Sequence, residues 1–132
     1  MIDRVKVVYE FLTATSDLSA IIGDRVYSTV APRSWAGDTK AIIYHQEGAD
    51  AHITAATNTG TFVFKCYGGT KNPADSNEVF RELFDRLQMA SESTTSGRIV
   101  QARLLTDSKL EPEPDTKLQA HMARFQIMFE GS

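Results

Sequence analysis

Apolar residues at the start of the chain recur with the period of a helix. Between Ile2 and Thr13 they lie three and four residues apart, which predicts an amphipathic helix with one packed face. Ser16 is the expected N-cap of a second, shorter helix over Asp17–Ile22. Gly23 is expected to end that helix, because a left-handed conformation costs little only for glycine.

Runs rich in β-branched and aromatic residues follow and predict strands. Asp24–Ser28 is expected to be extended, and Ala41–Glu47 and Thr61–Tyr67 are predicted to form strands. The segment Gly48–Gly60 is small and polar, so we expect a long loop there. A further loop over Ala31–Thr39 contains the only tryptophan of the chain.

The strongest helical pattern begins after a turn at Gly68–Lys71. Asn72 is the expected cap and Pro73 the first helical residue, and a capping box of Asp75 with Glu78 is the alternative. Arg86 is expected on the solvent face of this helix, paired with Glu82 one turn away. Five apolar side chains form a stripe that predicts packing on a sheet: Val79, Phe80, Leu83, Phe84 and Leu87.

Two strands are predicted in the last third of the chain. Arg98–Leu105 alternates, with Val100, Ala102 and Leu104 on the buried side. Thr106–Thr116 is expected to be a loop, because its prolines cannot donate to a ladder. The final strand is predicted to bury one face, formed by His121, Ala123, Phe125, Ile127 and Phe129.

The element order α-α-β-β-β-α-β-β predicts an α+β fold. We expect a mostly antiparallel sheet of four to five strands with the helices packed on one face. The length of 132 residues fits a single domain over residues 1–132. A chain of this size can fold without disulfides or metal ions.

Charge and composition narrow the classes of partner. The formal net charge is −3, with 14 basic and 17 acidic residues, so no overall field attracts nucleic acid. Apolar runs such as Ala41–Tyr44 are too short to cross a bilayer, and the first residues lack a signal-peptide pattern. Folding in the cytoplasm is therefore expected. Four cations are expected to share one sheet face: Lys65, Arg98, Arg103 and Arg124.

Candidate chemistry is sparse. No phosphate-binding glycine motif is present, and His45, His52 and His121 do not have the spacing of a metal site. His45 and His121 would form a weak two-ligand set if they met across adjacent strands. Cys66 lies in phase with the aromatic residues of its strand and is expected to be buried. We therefore predict no catalytic residues, no cofactor and no metal.

The segment Leu18–Tyr27 reads Leu-Ser-Ala-Ile-Ile-Gly-Asp-Arg-Val-Tyr and resembles the tail terminator (tail completion) proteins of long-tailed phages. Those proteins open with a helix, continue with a leucine and a Gly-Asp-Arg-(Val/Ile)-Tyr segment, and then have a loop with a proline, here Pro32. The strand that follows in the family starts Pro-Tyr, whereas Lys40–Tyr44 lacks that proline. The element order agrees across nearly the whole chain.

The resemblance implies a structural, non-enzymatic virion protein. Such proteins form a hexameric ring at the head-proximal end of the tail, end tube polymerisation and present a docking surface. The implied partners are further copies of the chain, the tail tube protein and the head connector or head completion protein. DNA would pass through the lumen without specific binding, and assembly would occur in the host cytoplasm, away from any membrane. Another neck or tail component, such as a head closure or tube protein, and a small enzyme or ligand-binding domain are the alternatives.

A closed ring needs a heterologous interface whose rotation closes. Polar, irregular segments that a small fold does not require are the candidates for this contact or for partner binding. Trp35 has two interpretations, since it either caps the edge of the core or anchors a partner. The candidate interface residues are Trp35, Asp50, His52, Thr57, Asn58, Glu111, Glu113 and Asp115.

Overall fold

A computed structural model of the chain describes residues 3–14, 16–35, 39–51, 57–70, 72–88, 91–112 and 119–130, with the backbone alone at 48–51, 57, 58, 73, 107–112 and 119. It contains three helices and one sheet, which confirms the α+β class. In chain order the elements are α1 (Arg4–Thr13), α2 (Asp17–Ile22), β1 (Val26–Ser28), β2 (Ala41–Ala51), β3 (Thr57–Tyr67), α3 (Pro73–Gln88), β4 (Glu92–Ser93), β5 (Arg98–Pro112) and β6 (Gln119–Glu130).

The sheet has six strands in the order β1-β2-β3-β6-β5-β4. β1 is parallel to β2, and every other neighbouring pair is antiparallel. The sheet therefore has one strand more than the predicted upper number. The additional strand is β4, whose residues Glu92 and Ser93 pair with Ile99 and Arg98 in a stretch expected to be a linker.

The β2–β3 hairpin is longer than the sequence pattern indicated. The predicted loop over Gly48–Gly60 is wrong at both ends, because β2 continues to Ala51 and β3 begins at Thr57. A register shift between Gln46 and Gly48 precedes this extension. The small polar residues there show no alternation of apolar and polar side chains, so the sequence pattern does not predict a strand. They pair nevertheless, because the buried parts of β2 and β3 already set the register of the two strands.

The loop predicted over Thr106–Thr116 is likewise wrong for its first half. β5 continues to Pro112, which lies opposite Gln119 of β6. Among the described residues, β4 pairs only with Arg98 and Ile99 of β5. At Pro112, the side of β5 that faces away from β6 therefore has no neighbouring strand in the described part of the chain. A proline is tolerated at such a position because its missing N–H would not have been used.

One face of the sheet, here called the inner face, packs against all three helices. The buried side chains of α1, α2 and α3 join those of the strands in one continuous cluster. Each fully buried apolar side chain of this kind contributes roughly 1.5–3 kcal/mol. The largest aromatic members are Phe11, Tyr44, Phe62, Phe64, Phe125 and Phe129.

β-Bulges alter which residues of β5 reach this core. A register shift lies between Ile99 and Gln101, so that Ile99 is buried while Val100 is only partly buried. Ala102 and Leu104 face the core as predicted. The expected alternation thus holds beyond the bulge and is wrong before it, because the extra residue reverses the direction of the side chains.

The start of α3 follows the predicted cap. The backbone N–H of Ala74 donates to Asn72 Oδ1 at 3.0 Å. Glu78, the partner in the alternative capping box, instead accepts from Lys40 Nζ at 2.6 Å. This ion pair joins α3 to the residue that precedes β2.

Gly68 allows α3 to start directly against the end of β3. A Cβ at Gly68 would lie 2.4 Å from the backbone nitrogen of Ser76 and 2.5 Å from the carbonyl carbon of Asp75. We expect Gly68→Ala to lower the free energy of unfolding by about 1–3 kcal/mol, because helix and strand must separate. Gly23→Ala is the control, since its Cβ would meet only the tip of Arg25 at 3.6 Å.

The control variant should lose about 1–3 kcal/mol through backbone strain alone, because a φ of +60° with a ψ of −129° suits only glycine. Urea unfolding monitored by circular dichroism measures both changes. A Gly68→Ala chain as stable as the wild type would show that the close approach of α3 to β3 is not required.

Candidate interaction surfaces

The segment that resembles the tail terminators joins α2 to the sheet. Its helix begins with a reciprocal pair, in which Ser16 Oγ accepts from the Ser19 N–H at 3.3 Å and Ser19 Oγ accepts from the Ser16 N–H at 2.9 Å. Gly23 ends the helix with a φ of +60°. Both boundaries lie where the sequence predicted them.

Arg25 is the residue that fixes this junction. Its Nε donates to the carbonyl oxygen of Lys40 at 2.8 Å, and its Nη2 donates to the carbonyl oxygen of Ile21 at 3.2 Å. One guanidinium therefore provides hydrogen bonds to two backbone carbonyls, one at the end of α2 and one at the residue before β2. Val26 then enters the core beside Ile42, its partner in the parallel ladder.

Trp35 lies on the face of the sheet opposite the helices, here called the open face. Its ring centre is 6.0 Å from that of Tyr27 and 5.3 Å from that of Tyr67, and its Nε1 donates to Thr39 Oγ1 at 3.0 Å. The indole is half-buried and covers Tyr67, which is only 5% exposed. Its suggested second role, in anchoring a partner, stays a prediction.

The other predicted interface residues fall into two groups. Asp50, Thr57 and Asn58 lie on the extended β2–β3 strands and not on a loop. Glu111 lies on β5 at the opposite end of the sheet, in the row that also contains Ala41, Tyr67 and Ala120. His52, Glu113 and Asp115 lie outside the described residues.

The four cations predicted to share a face all lie on the open face, but they are spread along it, since Lys65 pairs with Met122 of β6 and Arg98 with Glu130. Alternation places Lys65, Arg98, Arg103 and Arg124 opposite buried neighbours in their strands. Arg124 Nε donates to the Glu47 carboxylate at 2.9 and 3.2 Å, and this bond lowers the pKa of Glu47. Arg103 donates to Gln126 Oε1 at 3.1 Å.

His45 and His121, which would form a weak two-ligand set if they met, lie apart. β3 lies between β2 and β6, and His45 is on the open face while His121 is on the inner face. The strand order therefore rules out the two-ligand alternative, which sequence spacing alone had left open. His121 instead has its Nδ1 2.9 Å from the Oγ of Ser76, a fully buried residue of α3, and stacks on Phe80.

Burial controls the titration of these groups. It lowers the pKa of His121, so the neutral imidazole is favoured in the folded chain. Cys66, which pairs with His121 in the β3–β6 ladder, is fully buried as predicted, and burial raises the pKa of its thiol. A thiol held protonated in this way is a poor nucleophile.

A cleft of about 330 Å³ lies between the N-terminal helices and α3. Arg86 lies in its wall, with the guanidinium carbon 3.9 Å from the centre of the Phe11 ring. Its Nη2 donates to the carbonyl oxygen of Phe11 at 3.0 Å and to Glu92 Oε2 at 2.7 Å. The predicted pairing with Glu82 on the solvent face was wrong, because α1 and β4 supply these inward partners.

Within the part of the chain that the structure describes, no group of three His, Cys, Asp or Glu residues could hold a metal ion. None of the described helices is long and apolar enough to cross a membrane.

Neither a protein-family model nor a curated protein sequence matches this chain. Fifteen chains of solved structures match it. One is from "Virion of native gene transfer agent (GTA) particle", with a TM-score of 0.71 and 23% sequence identity over 96% of this chain and 93% of that one. The two chains share a fold. At this identity the likeness concerns the fold alone.

Sequence reasoning did not identify the exposed apolar residues of the described surface. Val30 is 73% exposed, Leu105 43% and Tyr9 40%. Tyr9 belongs to the apolar pattern that predicts the first helix, and Leu105 ends the predicted strand Arg98–Leu105. No sequence signal separates these side chains from their buried neighbours, because exposure depends on where each strand or helix meets the next.

Replacing Arg86 tests its role as a structural link. We expect Arg86→Met to lower the free energy of unfolding by about 2 kcal/mol, because the Phe11 carbonyl and Glu92 lose a charged donor. Arg81→Met on the exposed face of the same helix is the control and should change stability by less than about 0.5 kcal/mol. Thermal and urea unfolding measure both, and equal effects would contradict the assignment.

His121 should make stability depend on pH. In the unfolded chain its pKa returns to the ordinary value of 6.5, so below that pH the unfolded chain binds more protons than the folded one. The free energy of unfolding is therefore expected to fall as the pH is lowered from about 7.5 to about 5.5. Urea unfolding at each pH should show a weaker decrease in His121→Asn than in the wild-type chain. An identical slope in the two chains would refute the assignment.

Proposed function

We propose that this chain is a structural virion protein that caps the head-proximal end of a phage-type tail tube as a ring. The observation that carries this proposal is the shared fold with a chain of a gene transfer agent virion, over 96% of this chain. The cap would end tube polymerisation and present a docking surface for the head connector. These finer roles come from the resemblance of Leu18–Tyr27 to the tail terminators.

The geometry of Leu18–Tyr27 supports this use of the motif. Gly23 stops α2, Arg25 ties the end of α2 to the start of β2, and Val26 enters the core. The motif residues thus build the junction between the helices and the sheet. A motif with this structural role is characteristic of a fold, and the virion chain is similar to this chain in its fold.

The chemically capable side chains also favour a structural role over catalysis. Cys66 is a buried thiol, the partly buried His121 lies within hydrogen-bond distance of Ser76, and Arg86 donates to Phe11 and Glu92. His121 and Arg86 thus connect elements of the fold. We propose accordingly that the protein is not an enzyme and acts by assembly with other virion proteins.

The two ends of the sheet suit two axial partners. The predicted interface residues Asp50, Thr57 and Asn58 lie toward one end, and Glu111 and Trp35 lie toward the other. A ring between a tube and a connector needs two such contact zones. We propose that one end binds the tail tube protein and the other the head connector, while DNA passes through the lumen without specific binding.

Electron microscopy of particles made without this gene tests the proposal. Tail tubes of abnormal, variable length without heads are expected, and restoring the wild-type gene should return the normal length. Tails of normal length that lack heads would overturn the terminator role in favour of a head-joining protein. Absence of tubes would indicate a tube protein, and unchanged particles would contradict a virion role altogether.

A further inference from the structure

Each edge of the sheet has a step, because a short outer strand covers only part of the longer strand beside it. At one edge, β1 pairs only with Ile42–Tyr44 of β2, and within the described chain nothing pairs with the outer side of β2 beyond Tyr44. At the other edge, β4 pairs only with Arg98 and Ile99, which leaves the outer side of β5 without a ladder from Val100 to Pro112 in the described residues. Among the described residues, both edges therefore carry backbone groups without a ladder partner.

The steps lie at opposite ends of the sheet. β1 lies beside the start of β2, in the rows that lead across the sheet to Lys109 and Leu110 of β5. β4 lies beside Ile99, in the row that leads to Phe129 and Asn58. If two copies are placed side by side, the projecting β1 of one faces the recessed part of β5 in the next. The projecting β4 likewise faces the recessed part of β2.

Strand directions allow this pairing. β1 runs parallel to β2, and three antiparallel steps lead from β2 through β3 and β6 to β5. β1 of one copy would therefore run antiparallel to β5 of the next. Antiparallel pairing is the more stable arrangement per residue.

Exposed apolar side chains mark the same two edges. Val30 follows β1 directly and is 73% exposed, and Leu105 lies in the uncovered part of β5 and is 43% exposed. Thr29 between β1 and Val30 has a φ of 70°, which is unfavourable for a β-branched residue. The Val30 N–H donates to the Ser28 carbonyl at 2.8 Å, so this strained turn directs Val30 away from the sheet.

We propose that a second copy of this chain docks edge to edge, with the β1–Val30 edge of one copy against the Leu105 edge of β5 in the next. The contact joins two different patches, so it is heterologous and repeats around a ring. The register shifts of β5 between Ile99 and Lys109 restrict pairing with unrelated strands, as bulges on sheet edges do. The inference rests on the proposed ring and names the surfaces that form it.

Oxidative cross-linking of cysteine variants tests the contact. Val30→Cys and Leu105→Cys chains are made separately. The native Cys66 is not expected to form cross-links, because it is fully buried. Mixing the two variants under mild oxidation should give a disulfide-linked dimer, whereas each variant alone should not. The double variant should give a ladder of linked species that ends at the ring size, measured by denaturing electrophoresis and mass spectrometry.

Tyr9→Cys is the matched control, since Tyr9 has nearly the exposure of Leu105 but lies on α1. Mixed with Leu105→Cys it should give no linked dimer. Cross-linking is performed on the concentrated protein and on assembled particles that carry the variants. Self-linking of Val30→Cys, or linking to Tyr9→Cys at the same level, would overturn the heterologous edge contact, as would a lack of linking in both samples.

These outcomes are separate from those of the gene deletion. Abnormal tail lengths without the gene, together with no Val30–Leu105 link in assembled particles, would leave the capping role standing and remove the edge contact. Leu105→Lys offers a second measurement, because a charge in the contact should convert rings to smaller species in light scattering. Tyr9→Lys should leave the mass unchanged, and equal effects of the two would count against the proposed edge.

Discussion

The ladder between β3 and β6 is the constraint on which the rest of the fold depends. It runs from Thr57 opposite Glu130 to Tyr67 opposite Ala120 without a register shift, whereas the ladders on either side of it are interrupted. Because side chains alternate, this one register sets which residues of both strands face the helices. α3 connects the β2–β3 hairpin to the second half of the sheet and packs over this ladder. A slip of one residue would turn Phe64 and Phe125 to the open face and remove the support of α3.

Polar side chains hold the helices to this frame at their ends, where backbone groups lack helical partners. Arg25 accounts for the Ile21 carbonyl at the end of α2, and Arg86 accounts for the Phe11 carbonyl near the end of α1. Ser76 links the first turn of α3 to β6 through His121. The bonds of Arg86 and Ser76 join residues far apart in the sequence, so these polar groups connect layers that the hydrophobic core has already brought together.

The sequence predicts features that depend on residues close together in the chain, and it fails for features that depend on which strands and helices are neighbours in the fold. Ser16, Gly23 and Asn72 set helix ends through bonds and dihedral angles within a few residues, and all three are found as predicted. The alternation of β6 also holds, because a long strand on a core repeats its pattern. The environment of the candidate interface residues was harder to predict from the sequence. Trp35 packs against aromatic residues of the same chain. Asp50 and Glu111 lie on strands that extend into polar segments, where the sequence shows no strand pattern. The partner of Arg86 and the separation of the histidines follow from strand order, which no spacing in the chain encodes.

Edges and ends of a sheet offer two independent directions for assembly. Backbone pairing at an edge extends the sheet sideways, across the strands, and suits copies of the same chain, since one edge can be shaped to the other. Contacts at the ends of the strands run along them and suit different partners above and below. In the proposed cap, Val30 and Leu105 would serve the first direction, and the hairpin around Asp50 and the opposite end at Glu111 the second. This separation would allow a ring to keep its own symmetry while its two ends adapt to two unlike surfaces, because a change at an end leaves the edge contact and its register intact.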